Sequence, residues 1–125
     1  MTQDIFRSAR YAFRGLRTAV QSGRNLQLFL VSYLLLVLYA SLLPLSSSEW
    51  LALLVSGGLF LITELLNTAL EHLADAVDDH LKGEHRKESF TAIKMAKDIA
   101  ASASLVSLLL VGMVAIAIVS VHIRL

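Results

Sequence analysis

Residues 49–75 read EWLALLVSGGLFLITELLNTALEHLAD. From Trp50 to Thr63 the stretch carries no charge, and it then takes up Glu64, Asn67, Glu71 and Asp75 without a helix breaker. At about 100° per residue, Asn67, Glu71 and Asp75 fall at about −60°, −20° and +20° from Glu64, so all four share one helical stripe. With a rise of about 1.5 Å per residue, Glu64 stands roughly 21 Å beyond Trp50, inside the ~30 Å thickness of a hydrocarbon layer. An ionisable group at that depth costs about 2.5–3.5 kcal/mol, so it should be paired, protonated or working. Asp75 and Glu71 also fit ordinary interfacial residues. Glu64 with Asn67, inside the apolar helix, fits that bland reading less well, and a carboxylate there suits a general base or a proton carrier.

Outward from this stretch the composition agrees with a membrane setting. The chain has 125 residues, 56% hydrophobic and only 17% charged, with a mean hydropathy of +0.67. No charge occurs from Asn25 to Ser48, and none from Ile99 to Ile123. Each run exceeds the ~20 residues that cross a bilayer as a helix. Lipid offers no partner for backbone N–H and C=O groups, so runs of this kind are expected to span as helices. There is no Cys, which excludes disulfides and thiolate chemistry. Pro44-Leu-Ser-Ser-Ser48 reads as a turn between spans and not as a cleavage site.

Residues 3–21 predict an amphipathic surface helix. Arg7, Arg10, Arg14 and Arg17 fall on one face, and Ile5, Ala9, Ala12, Leu16, Ala19 and Val20 lie opposite. A basic face backed by an apolar one suits a helix lying in an anionic interface. Transmembrane helices are expected over 26–43, 50–73 and 99–123, with Trp50 as an interfacial anchor and a cytoplasmic loop over 76–96. Lys and Arg set the orientation: five before the first span, none in residues 44–49, five in residues 75–98, and Arg124 alone at the end. The positive-inside rule then places the N-terminus in the cytoplasm of a multi-pass protein of the bacterial inner membrane.

Lys97 and Asp98 open the third span near the level of Glu71. A lysine there either pairs with the carboxylates or holds a phosphate while a carboxylate holds Mg2+. No Gly-rich phosphate loop occurs in the chain. His72, His80 and His85 lie among acids, but their spacing is not that of a helical metal pair. Ala100 to Ser104, Gly112 and Gly57-Gly58 permit close helix approach. Three spans make a thin bundle, so an oligomer is expected. From the residues alone, the site is a carboxylate, amide and lysine cluster facing the cytosol.

The segment Glu64-Leu-Leu-Asn67-Thr-Ala-Leu-Glu71, followed by Asp75 and by Ala96-Lys97-Asp98, resembles the signature of the prokaryotic diacylglycerol kinase family, which includes undecaprenol kinases. The family carries E-x-x-N-[ST]-A-[IL]-E on its second span and A-K-D at the start of its third. Tyr11-Ala-Phe-Arg-Gly15-Leu is similar to its surface-helix motif, and Ser48-Glu-Trp50 to its opening of the second span. The resemblance implies an all-α integral membrane fold: an N-terminal amphipathic surface helix plus three transmembrane helices, assembled as a homotrimer. It implies transfer of the γ-phosphate of ATP, with Mg2+, to the hydroxyl of a membrane lipid. Glu64 then matches the catalytic base and Asn67 a supporting polar group. Glu71 matches the ligand of nucleotide-bound Mg2+, and Tyr11, Lys97 and Asp98 match nucleotide-contacting positions. No nucleic-acid partner is expected.

Two departures accompany the match. The family usually has a second metal-binding carboxylate between the surface helix and the first span, where this chain has Gly23. The segment from Asp75 to Lys97 is also longer and more charged, and the expectation is that Asp78, Asp79, Glu84 or Glu88 supplies the absent ligand. A degenerate member serving as a membrane scaffold is the alternative reading. A proton pathway through Glu64 would need more polar residues on the first span than Ser32, Tyr33, Tyr39 and Ser41. Thr68 in the motif is slightly closer to undecaprenol kinases, and diacylglycerol kinases often have Ser there.

Overall fold

The computed structural model describes residues 2–80 and 86–123. They form four helices: α1 (Thr2–Ser22), α2 (Arg24–Ala40), α3 (Ser47–His80) and α4 (Arg86–His122). The chain is all-α, as expected. α3 and α4 are each long and apolar enough to cross a membrane, and a third candidate is the α1–α2 pair, bent by 98° at its break.

Helix boundaries differ from the expected ones in a consistent direction. α3 and α4 outrun the spans expected over 50–73 and 99–123. At about 1.5 Å per residue they extend ~51 and ~56 Å, against a ~30 Å hydrocarbon layer. Of the loop expected over 76–96, residues 76–80 and 86–96 are helix, ending at His80 and resuming at Arg86. Asp75, Asp78, Lys94 and Lys97 bound the apolar spans because charge disfavours hydrocarbon. Charge does not disfavour helix, and among Ala, Leu and Lys the helical ladder continues. The span expected over 26–43 instead stops at Ala40. Tight bonds from Leu42 N–H to Tyr39 O (3.0 Å) and from Leu43 N–H to Ala40 O (3.1 Å) close it. Pro44 follows, with no N–H to extend the ladder.

The corner between α1 and α2 is built around Gly23, whose backbone is extended (φ −95°, ψ 99°). Its N–H donates to Ala19 O at 2.8 Å, and the Gln27 side chain reaches back to Val20 O at 2.7 Å. An added Cβ on residue 23 would stand 2.9 Å from Ala19 O, which explains why this position carries no side chain. Beyond the corner, α1 is left open. Ile5, Phe6, Phe13 and Leu16 are exposed, and only Ala19 of its described side chains is buried.

Two apolar clusters hold α2, α3 and α4 together. Phe29, Phe60 and Val111 form one, with Tyr33 against it. Phe29 stacks on Tyr33 at 5.2 Å between centroids and meets Phe60 at 3.9 Å. Ala40, Leu53 and Ile118 form the other, and Trp50 packs on it. Trp50 is therefore part of the packing as well as an aromatic at the start of a span. The α3–α4 pair is tied at three levels, by a Thr63–Ser107 hydroxyl contact of 2.6 Å, by Lys97 on Asp75 at 2.8 Å and by His122 near Glu49 at 3.7 Å.

A reciprocal cap starts α3. The Ser46 backbone N–H and hydroxyl both donate to Glu49 Oε2, at 2.8 and 2.6 Å, and the Glu49 N–H returns to Ser46 Oγ at 3.4 Å. This is the S-x-x-E capping box, and it satisfies donors that a helix start leaves open. The Ser46 hydroxyl, then its N–H, holds the Glu49 carboxyl below the usual carboxylate value. A depressed folded-state pKa stabilises above the unfolded value, and the contribution fades as pH falls through the folded one. Ser46→Ala, which removes the cap, should therefore lower thermal stability at neutral pH. Its deficit against wild type should narrow once the pH drops below the carboxylate range, as read from melts in detergent. A deficit independent of pH would show that the Glu49 contact is not the source.

Candidate functional site

α3 presents two working faces. Phe60, Glu64, Asn67 and Glu71 line a cleft of about 440 Å³, walled by Asn25, Leu28 and Phe29 from α2 and by Ala101, Ser104 and Leu105 from α4. The sequence places these α3 residues on one stripe because their spacing follows the helical repeat. Rotated by about 120° on the same helix, Thr68, Ala69 and His72 line a second cleft of about 570 Å³ against Tyr11, Arg14 and Gly15 of α1.

Glu64 and Asn67 are buried, at 4% and 6% exposure, although both are polar. Glu71 is half-buried one turn further on and accepts a hydrogen bond from Asn67 Nδ2 at 3.3 Å. That bond fixes the amide, since its NH2 must face the carboxylate. Asn67 Oδ1 is left buried with no partner, and so is the Ser104 hydroxyl across the cleft. The floor is apolar: Phe29, Phe60, Leu105 and Leu108 continue the cleft away from Glu71. A buried acid, an oriented amide and a second acid thus line one slot with a greasy extension.

Lys97 stands beyond the cleft, bonded to Asp75. That hydrogen bond, and then the charges of Asp75, Glu71 and Asp78, raise its pKa above the usual lysine value against a smaller opposing effect of burial. The ammonium is therefore firmly protonated, and it remains partly exposed, at 36%. The pair itself lies at the surface, so its contribution to stability is small.

The remaining expected site residues are not gathered here. Tyr11 lines the second cleft, beside Arg14, whose guanidinium lies 6.0 Å from its ring centroid. Asp98 is exposed, and its carbonyl oxygen accepts from Ser102. Asp78 sits two turns from Glu71, roughly 10 Å along the helix, too far to share one ion with it, and Asp79 is exposed. The side chains of Glu84 and Glu88 lie outside the described residues. His72 approaches Ser22 Oγ at 3.4 Å, and His80 caps its own helix on Ala76 O at 2.7 Å.

Among the described residues no three His, Asp or Glu side chains converge as a metal cage. Mg2+ does not need one, since it commonly takes one or two carboxylates together with substrate phosphates. Glu71 in an open cleft fits a Mg2+ that arrives on a nucleotide.

Sequence reasoning missed Ser104, which it counted only among small packing residues. Its signal was available: Ser104 follows Lys97 by seven residues, which returns it to the same face of α4.

Comparison with known proteins adds a family. The family described as prokaryotic diacylglycerol kinase matches residues 10–119. A protein named undecaprenol kinase, from Bacillus subtilis (strain 168), is 34% identical over 100 residues, covering 79% of this chain and 74% of that protein. No solved structure gives a significant match.

Proposed function

The chain belongs to the prokaryotic diacylglycerol kinase family, and on that premise we propose that it transfers the γ-phosphate of Mg-ATP to the hydroxyl of a membrane lipid alcohol, diacylglycerol or undecaprenol. The observation that carries this reading is the single cleft that joins buried Glu64 and Asn67 to Glu71 at one end and to an apolar floor at the other. A lipid alcohol has the same division, a polar head on a hydrocarbon body. Phosphoryl transfer asks a protein mainly to position the reactants and to neutralise charge. Glu64 takes the alcohol's proton, Asn67 orients the neighbouring groups, and Glu71 meets the Mg2+ carried by the nucleotide. Lys97 turns from Asp75 to the phosphates. Tyr11 and Asp98 are nucleotide contacts by resemblance.

The proposed placement puts α1 on the inner face of a bacterial cytoplasmic membrane, with α2, α3 and α4 crossing it and the N-terminus in the cytoplasm. The 98° bend supports it, because a surface helix leading into a span needs a corner of that size. Homotrimer formation is proposed from the family. The exposed apolar rows on α2 and α4, such as Leu34, Leu35, Leu109 and Met113, give a partner copy or lipid a surface to cover.

A second reading, a degenerate member acting as a membrane scaffold, draws on one observation: Gly23 stands where the family usually has a metal-binding carboxylate, and its corner has no room for one. Purified protein given Mg-ATP with diacylglycerol and undecaprenol in parallel separates the readings. Phosphorylation of one or both lipids is expected. No transfer to either would leave the scaffold.

A further inference from the structure

Ser104 is unlike the other described serines of α4. Ser102, Ser107 and Ser120 each return their hydroxyl to a carbonyl one turn back, on Asp98, Ser104 and Ala117. Ser104 is 6% exposed, yet its hydroxyl is without a partner. Leaving a buried hydroxyl unpaired costs about 1–3 kcal/mol. Opposite it, Asn67 Oδ1 is in the same condition.

The register of α3 and α4 brings these two groups to one level. The helices are antiparallel and tied at Thr63–Ser107. Asn67 lies one turn past Thr63 on α3, and Ser104 lies one turn before Ser107 on α4. Both line the Glu64 cleft. The two atoms do not bond each other, and both side chains line one cleft, so a single group bound there can pair with both.

Donor and acceptor chemistry selects that group. Asn67 Oδ1 only accepts, and its orientation is locked by the bond from Nδ2 to Glu71. A phosphate or an ester oxygen also only accepts, and would set oxygen against oxygen there. A hydroxyl satisfies both sides, since it donates to Asn67 Oδ1 and accepts from Ser104 Oγ.

Resting on the lipid-kinase reading, we propose that Asn67 Oδ1 and Ser104 Oγ form the seat that holds the acceptor hydroxyl before transfer, with Ser104 as a substrate-binding residue; the hydroxyl's one proton turns from Asn67 Oδ1 to Glu64, one turn away, when the reaction runs. The seat recognises a lipid alcohol by its free hydroxyl, and the apolar floor takes the first carbons of its chain.

Ser104→Ala tests this, with Ser104→Thr as the conservative variant that keeps the hydroxyl. Using dioctanoylglycerol and a short polyprenol as acceptors, Ser104→Ala should raise the KM for the lipid roughly five- to tenfold, the effect of one lost hydrogen bond. The KM for ATP and kcat should stay within about twofold, and Ser104→Thr should restore the lipid KM. An unchanged lipid KM, as for a seat that holds only water, would overturn the proposal, and so would a loss confined to kcat. Equilibrium dialysis of the same two lipids against detergent-solubilised protein, without ATP, separates this from the kinase reading. If wild type transfers no phosphate but binds a lipid that Ser104→Ala binds several-fold more weakly, the seat stands and the kinase reading falls. Equal binding by both proteins sinks the seat.

Discussion

Glu64→Gln should reduce phosphate transfer to the lipid by about 10²–10⁴-fold, the range that general-base catalysis contributes. The loss should fall on kcat, with the KM for ATP little changed, because Glu64 lies two turns from Glu71, roughly 10 Å along the helix. Glutamine keeps the size and the hydrogen-bonding reach of the side chain, so the apolar packing around it, Phe60 above all, is preserved. Burial at 4% exposure works in favour of a folded variant as well, since a neutral amide is cheaper to bury than a carboxylate. The variant should therefore be at least as stable as wild type while nearly inactive. Parallel melting curves and radiolabel transfer from ATP into extracted lipid measure the two quantities. Activity within a few-fold of wild type would remove Glu64 from the chemistry, and with it the cleft as the reaction site.

Gly57→Ala should destabilise the bundle by about 1–3 kcal/mol, the cost of overfilling a packed core. Helix propensity predicts the opposite sign, since Ala is favoured over Gly within a helix by roughly 1 kcal/mol. Packing wins because a Cβ on residue 57 would overlap the ring of Tyr33. That ring has little freedom to retreat: its hydroxyl donates to Leu53 O at 2.9 Å, and its face stacks on Phe29. Phe29 in turn meets Phe60, and both line the cleft. The substitution should consequently raise the lipid KM as well as lower the melting temperature. Adding Tyr33→Ala should relieve the overlap, so the double variant should lose less stability than the two single losses combined. Strict additivity would mean that Gly57 and Tyr33 do not press on each other.

Much of this molecule was legible in residue order. The stripe from Glu64 to Glu71 follows directly from helical periodicity, and the structure puts both ends of it in one cleft. Uncharged runs located the apolar helices, but they mark where hydrocarbon can end and not where helix ends. Asp78 and Lys94 sit on helices that simply continue past the apolar part. Ser46 and Glu49 carried a capping-box spacing that the turn-like Pro44 and serines obscured. Tyr11 and Glu71 belong to one family motif set, yet they line different faces of α3, and no one-dimensional pattern gives the rotation between them. Ser104 was passed over for another reason: a serine among alanines reads as a small packing residue, although its seven-residue spacing from Lys97 puts it on the same face of α4.

The corner at Gly23 also bears on how the protein meets membranes of unequal thickness. On the proposed placement, α1 floats in one headgroup layer, and the cleft hangs from it at a depth set by covalent geometry. α2, at 17 residues or roughly 25 Å, is shorter than an average hydrocarbon layer. Any mismatch is then absorbed at the opposite leaflet, where the turn through Pro44 and the Ser46 cap carry no part of the site. Thick and thin bilayers would present their lipid hydroxyls to Glu64 at the same height, because the gauge is anchored on the side where the reaction runs.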